Sequence, residues 1–259
     1  MVCIKFLSTE LYASYALAFF GIPGIQQIYS SIGNVYLLEI ANAFKNNDLV
    51  KALHSFKELT TKTFALTVPV VWITCLYAEE IIVFLFTDRY LDAVPLFRIH
   101  IFGFIVLMLG TSLVIRASGQ TKYSLYSYLY PAVFTLPCTY FAVKYYGVYG
   151  GIISTMFAQI MPKIFQAVYE IRLLETNWRY YLPWKNFGTN ILIATVILLP
   201  FYVLHRFMQF NVFISGALAG LYLVIVLFLQ LKFEIAVINK DAVSRILTRF
   251  HLGYFARFI

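Results

Sequence analysis

Hydrophobic positions in this chain come in long blocks instead of recurring at a helical or strand period. Apolar runs of about 20 residues alternate with short stretches where charge, glycine and amide side chains collect. A run of that length is what a helix needs to cross a hydrocarbon layer of about 30 Å at about 1.5 Å per residue. The pattern predicts about seven such spans, at residues 11–44, 63–86, 95–115, 124–143, 152–174, 187–204 and 211–231. The fold class that follows is all-α, a polytopic bundle of membrane helices. The first block is long and carries Gly21, Pro23 and Gly24 near its middle, so a kink or break is expected there.

The stretches between blocks have their own signatures. In residues 45–62, KNNDLVKALHSFKELTTK, the apolar Leu49, Leu53, Phe56 and Leu59 fall at helical spacing among charges. That predicts a short amphipathic connector lying on the membrane surface. Residues 87–93 (TDRYLDA) and 116–122 (RASGQTK) read as loops, and 144–151 (KYYGVYGG) as a turn. Residues 175–186, ETNWRYYLPWKN, mix Trp, Tyr and basic side chains in the manner of headgroup depth. The tail, 232–259, is basic and amphipathic.

Composition agrees with the pattern and narrows the function classes. The chain of 259 residues is 61% hydrophobic and only 12% charged, with a mean hydropathy of +0.77, more apolar surface than one water-soluble domain hides. Its net charge of +8 is spread between the blocks instead of gathering into a patch, which speaks for topology and anionic lipid and against nucleic acid. Cys3, Cys75 and Cys138 sit in apolar surroundings without metal or redox spacing and read as small buried hydrophobes. No metal site, cofactor or enzymatic constellation is expected, and no phosphate-binding glycine loop for nucleotide hydrolysis occurs.

Basic residues orient the chain. Lys45, Lys51, Lys57, Lys62, Arg116, Lys122, Arg172, Arg179, Lys185 and the basic tail fall on one side. Lys5, Arg89, Arg98, Lys144 and Arg206 fall on the other, a bias of roughly threefold that marks the first side as cytoplasmic. The N-terminus is then outside and the C-terminus inside. The opening residues have a single Lys5 and an apolar run interrupted at 8–10, so a cleaved signal is not expected. The expectation is a chain that lacks a preceding membrane segment.

Charges inside or at the borders of spans carry what chemistry there is, because burying one in lipid costs some kcal/mol unless it faces a cavity or snorkels. Lys163, directly after Pro162 in the fifth block, is the main candidate to bind an anionic group, with Arg98 and Arg116 at the two ends of the third block behind it. Snorkelling to the headgroups is the alternative reading of Lys163. Glu39 is the candidate for ion coupling. Gln26, Gln27, Asn34, Gln159 and Gln166 are further intramembrane polar groups, read as interhelical hydrogen-bond partners or cavity lining. Gly216 and Gly220 form a GxxxG close-packing signal. His54, His100, His205 and His251 read as isolated residues, three of them near the membrane boundary, and the adjacent Glu79 and Glu80 as interfacial. Prolines at 69, 131, 137, 162 and 200 within spans suit bent helices around a cavity.

Several stretches in order carry a resemblance. Residues 10–48, ELYASYALAFFGIPGIQQIYSSIGNVYLLEIANAFKNND, run a span through glycine and proline into a basic loop. Residues 78–99, AEEIIVFLFTDRYLDAVPLFRI, pass from an acidic pair through an apolar run and a Tyr-containing turn to Ala-x-Pro-Leu-x-Arg. RASGQTK at 116–122 and KYYGVYGGIISTMFAQ at 144–159 follow. This succession, over about residues 11–231, resembles the oligosaccharide flippases of polysaccharide biosynthesis, within the multidrug/oligosaccharidyl-lipid/polysaccharide exporter superfamily. The resemblance implies the C-terminal half of a two-lobed bacterial inner-membrane transporter: one lobe plus extra helices, with an N-terminal lobe missing. It implies a flippase that moves a polyprenyl-diphosphate-linked oligosaccharide, an O-antigen or capsule repeat unit, with membrane lipids as the other partners. The alternatives are a cation-coupled small-molecule exporter of the same superfamily and a non-catalytic membrane assembly partner. The outside loops are too short for a membrane-embedded glycan polymerase or transferase.

Overall fold

The structure, a computed structural model, describes residues 8–21, 25–107, 109, 112–208 and 211–232, and every regular element among them is helical. In chain order these are α1 (Thr9–Ala18), α2 (Ile25–Lys45), α3 (Leu49–Leu76), α4 (Ala78–Phe86), a 3-10 turn (Asp88–Tyr90), α5 (Ala93–Leu107), α6 (Leu113–Ala117), α7 (Thr121–Leu173), α8 (Trp178–Tyr181), α9 (Trp184–Phe207) and α10 (Val212–Lys232). Three of them, α3, α9 and α10, are long and apolar enough to cross a membrane. The predicted tail from residue 233 onward, with His251, and the N-terminal Cys3 and Lys5 lie outside the described residues.

The helix α3 is the hub, packed by α2, α4, α5, α9 and α10. In its most apolar window 67% of the residues are buried, against 22% for α9 and 17% for α10. The sequence predicts a separate surface connector at 45–62, but residues 49–62 of that segment are the first half of α3. Asp48 caps it, accepting from the Lys51 N–H at 2.9 Å, and the helix runs on without interruption to Leu76. The apolar positions that look like a lipid-seeking stripe, Phe56 and Leu59 with Ala52, are fully buried in the main core, where α2 packs on α3. The ammonium of Lys62 closes that contact by donating to the Tyr36 hydroxyl (2.6 Å) and to Glu58 (2.7 Å).

A Thr-rich helix can be a core element because its hydroxyls bond within it. Thr60, Thr61, Thr63 and Thr67 each donate to the carbonyl four residues earlier. Pro69 lacks an N–H, so the Ala65 carbonyl has no donor in its own helix. Gln230 of α10 supplies one at 3.0 Å and also donates to Asn190 of α9 at 3.1 Å. The Trp72 indole N–H donates to Thr195 (2.7 Å), and Phe64 stacks on Phe187 with ring centroids 4.1 Å apart. In lipid, where apolar burial gives no drive between helices, such packing and bonding hold a bundle together.

Three predicted blocks are divided: the first, where a break is expected, ends one helix at Ala18 and starts the next at Ile25, and the second and third are divided as well. The second ends α3 at Leu76 and restarts as α4, which stops where Thr87 takes φ 85°. The third is α5 up to Leu107 and then the short α6, whose capping residue Ser112 also has φ 85°. The fourth and fifth blocks, by contrast, form a helical hairpin within α7. Its limbs, 121–146 and 148–173, turn at Gly147, with φ 56° and ψ −134°, a conformation open only to glycine. The antiparallel return is fixed by Tyr123 against Tyr169 and by Gln166 donating to Ser127 at 3.0 Å. A Cβ on Gly150 would lie 2.0 Å from the Ala142 carbonyl oxygen, so this second glycine is what lets the limbs close.

These pairings sort the bundle into two ends. Glu10, Arg89, Glu80, His205 and Gly147 lie at one; the start of α3, α6, the open end of the hairpin and α8 lie at the other. The outer surface is apolar: Val133, Phe134, Leu199, Phe213 and Val224 are among many large side chains left exposed on α7, α9 and α10.

Candidate functional site

The second limb of α7 carries Lys163, Gln166 and Glu170, spaced three and four residues apart and therefore on one face of the helix. Glu170 is fully buried. One of its carboxylate oxygens accepts from the Ser112 N–H at 2.7 Å, with the Ile115 N–H at 3.5 Å; the other accepts from the Tyr181 hydroxyl at 2.5 Å. A carboxylate is thus set where α6 begins, among backbone donors that have no partner inside that helix. Burial first, and then the charge of Glu170, pushes the Tyr181 phenol well above its ordinary pKa, so it stays a donor.

Lys163, half-buried, is within electrostatic reach of Glu170. Gln166 is fully buried; its amide N–H group reaches Ser127, and its oxygen has no hydrogen-bond partner among the described residues. The Tyr29 phenol of α2 lies within electrostatic reach of both Glu170 and Arg116. The site therefore joins α2, α6, both limbs of α7 and α8 around one acid, one ammonium and one amide. It can hold an anionic group against Lys163 or bind and release a proton at Glu170.

The other predicted site residues are distributed differently. Arg116 is exposed on α6, close to this cluster. Glu39 is exposed on α2, nearly two turns before the helix ends at Lys45. Arg98 belongs to a separate cleft between α3, α5 and α9, which neither Lys163 nor Arg116 lines. Glu170 and Tyr181 escape a reading of the sequence because each looks like a residue at the edge of a span. The available signal was the spacing of Glu170 from Gln166 and Lys163, which puts it on a face that already carries two polar groups.

Further expectations change in the fold. His205 is not isolated: its ring nitrogen lies 2.6 Å from a Glu80 oxygen. His100 is buried between the Phe19 and Phe104 rings, and His54 is exposed. Cys75 is half-buried, but Cys138 is exposed on the first limb of the hairpin. Among the described residues Gly216 and Gly220 do not mark a helix contact, since nothing there lies within 4 Å of where their side chains would begin. Among the described residues no three His, Cys, Asp or Glu side chains gather as a metal site. Comparison of the chain with protein-family models, with curated proteins and with solved structures finds no match.

Proposed function

We propose that the chain is part of a membrane flippase for a lipid-linked oligosaccharide, a polyprenyl-diphosphate O-antigen or capsule unit, acting in a bacterial inner membrane with the predicted seven segments as its spans. The observation that carries the reading is the polar face Lys163, Gln166 and Glu170 in the hairpin of an otherwise apolar bundle, since charges are kept at such depth for work on a substrate or ion. The ordered succession of sequence stretches supports the substrate class. In this mechanism the Lys163 ammonium attracts the diphosphate, and the bent, proline-containing helices rock between two openings. Arg116 at the cytoplasmic end adds a second cation along the same path.

The test is glycan export in cells lacking the gene and complemented with it at full length. Lys163→Ala at normal expression should lower export at least tenfold. Undiminished export removes Lys163 from the mechanism.

One observation favours a second reading, a cation-coupled exporter. Such a protein requires an intramembrane carboxylate, and Glu170 meets that need better than the exposed Glu39. Glu170→Gln would then abolish proton-driven efflux of the cargo while Glu39→Gln leaves it intact.

A further inference from the structure

At the end of the bundle away from Glu170, a cleft of about 520 Å³ opens between α3, α5 and α9. We propose that it binds the headgroup of an anionic membrane phospholipid, entering sideways from the bilayer. This site goes beyond the transport reading and stands or falls independently of it.

The cleft combines two chemistries. Its walls are Trp72, Phe102 and Tyr202, its cations are Arg98 and Arg206, and His205 lies beside them. The His205 imidazole is already engaged, because its ring nitrogen lies 2.6 Å from a Glu80 oxygen. The arginines are not: among the described residues no carboxylate pairs with Arg98 or Arg206. Arg98 is held in place by its Nε, which donates at 3.0 Å to the Cys75 carbonyl in the last turn of α3, where carbonyls have no helical donor. That bond uses one face of the guanidinium and leaves its two terminal nitrogens to offer the paired donors that suit a phosphate. Arg206, in the last turn of α9, adds a second guanidinium to the same cleft.

The apolar walls decide what carries the phosphate. Phe102 is 51% and Tyr202 47% exposed, and Leu199 and Val203 continue the apolar surface of α9 beside them. A soluble anion would gain nothing from these groups, whereas the upper part of an acyl chain lies against them while the headgroup meets the arginines. Two unpaired cations favour an anionic lipid over a zwitterionic one, whose own ammonium would be left next to them.

The chain contains its own reporter, because Trp72 lines the cleft and the other two tryptophans, Trp178 and Trp184, are exposed. With both replaced by phenylalanine, the full chain is placed in phosphatidylcholine nanodiscs, and Trp72 emission is quenched with brominated phosphatidylglycerol or brominated phosphatidylcholine. The expected result is quenching several-fold stronger, at equal lipid fraction, by the anionic lipid. The preference should fall to about one in R98Q/R206Q and be kept in part in R98K/R206K, which retains the charge without the paired donors. Arg206→Gln alone, at an exposed side chain, should lower it without touching the Arg98 bond to α3, which covers a double variant that fails to fold. An unchanged preference in R206Q and R98Q/R206Q, or no preference in the parent, overturns the proposal. So does an equal loss in the remote K122Q/K144Q, which would mean diffuse charge. Relief of quenching by stoichiometric farnesyl diphosphate would make the cleft an isoprenoid-diphosphate site and overturn it too.

Discussion

Replacing Glu170, which is fully buried, by alanine removes the acceptor for three donors at once. Of these, the Tyr181 hydroxyl at 2.5 Å and the Ser112 N–H at 2.7 Å are full hydrogen bonds, while the Ile115 N–H at 3.5 Å is at the edge of one and adds little. Bonds to a charged partner contribute about 1.5–3 kcal/mol each, and measured interhelical bonds in membranes average about 0.6 with a maximum of about 1.7 kcal/mol. Two strong bonds at about 1–2 kcal/mol each place the loss for Glu170→Ala at about 2–4 kcal/mol. Tyr181→Phe removes one of them and should lose about 1–2 kcal/mol. Glu170→Gln keeps an oxygen for the Ser112 N–H, and the Tyr181 hydroxyl can turn to accept from the amide, so it should stay within about 1 kcal/mol of the parent. Reversible unfolding in bicelles, followed by steric trapping, measures all three. The deciding quantity is the coupling: in the Glu170→Ala background Tyr181→Phe should cost almost nothing, giving an interaction energy of about 1 kcal/mol or more. Additive losses would show that Tyr181 and Glu170 act separately and would refute the site as described.

Three further perturbations bear on the fold and the site. Gly147→Ala and Gly150→Ala should each destabilise the hairpin by about 1–3 kcal/mol, the first through backbone strain and the second through a clash with a carbonyl that no rotamer relieves; Gly188→Ala, with open space at its Cβ, should be neutral or better in the same unfolding assay. Gln230→Leu should lower stability by about 1–2 kcal/mol, and by less when Pro69→Ala restores a donor to the Ala65 carbonyl, which a four-variant melting series checks. Lys163→Ala should lower export by a larger factor than it lowers the yield of folded protein; a loss of folded protein that matches the fall in export would make its role structural.

The sequence by itself determined the helical class, the apolar surface and the hairpin turn. Those depend on features local in the chain: runs of hydrophobic residues set what can face lipid, and glycine at 147 and 150 permits a reversal that other residues obstruct. The same local reading misplaced the segment 45–62, because an amphipathic stripe is identical whether its apolar face meets lipid or, as for Phe56 and Leu59, the core where α2 and α3 pack. Only the tertiary structure decided which polar residues meet. Gln230 finds the carbonyl freed by Pro69 from 165 residues away, and Glu80 finds His205 across 125. Glu170 becomes a buried acid only when α6 and Tyr181 close over it. The physical reason is that the energy of a polar side chain in an apolar chain is set by its partners, and partners are a property of the fold. Lys163 could be picked out by its position in an apolar run; its neighbour Glu170, and the separation of Arg98 into a different cleft, could not.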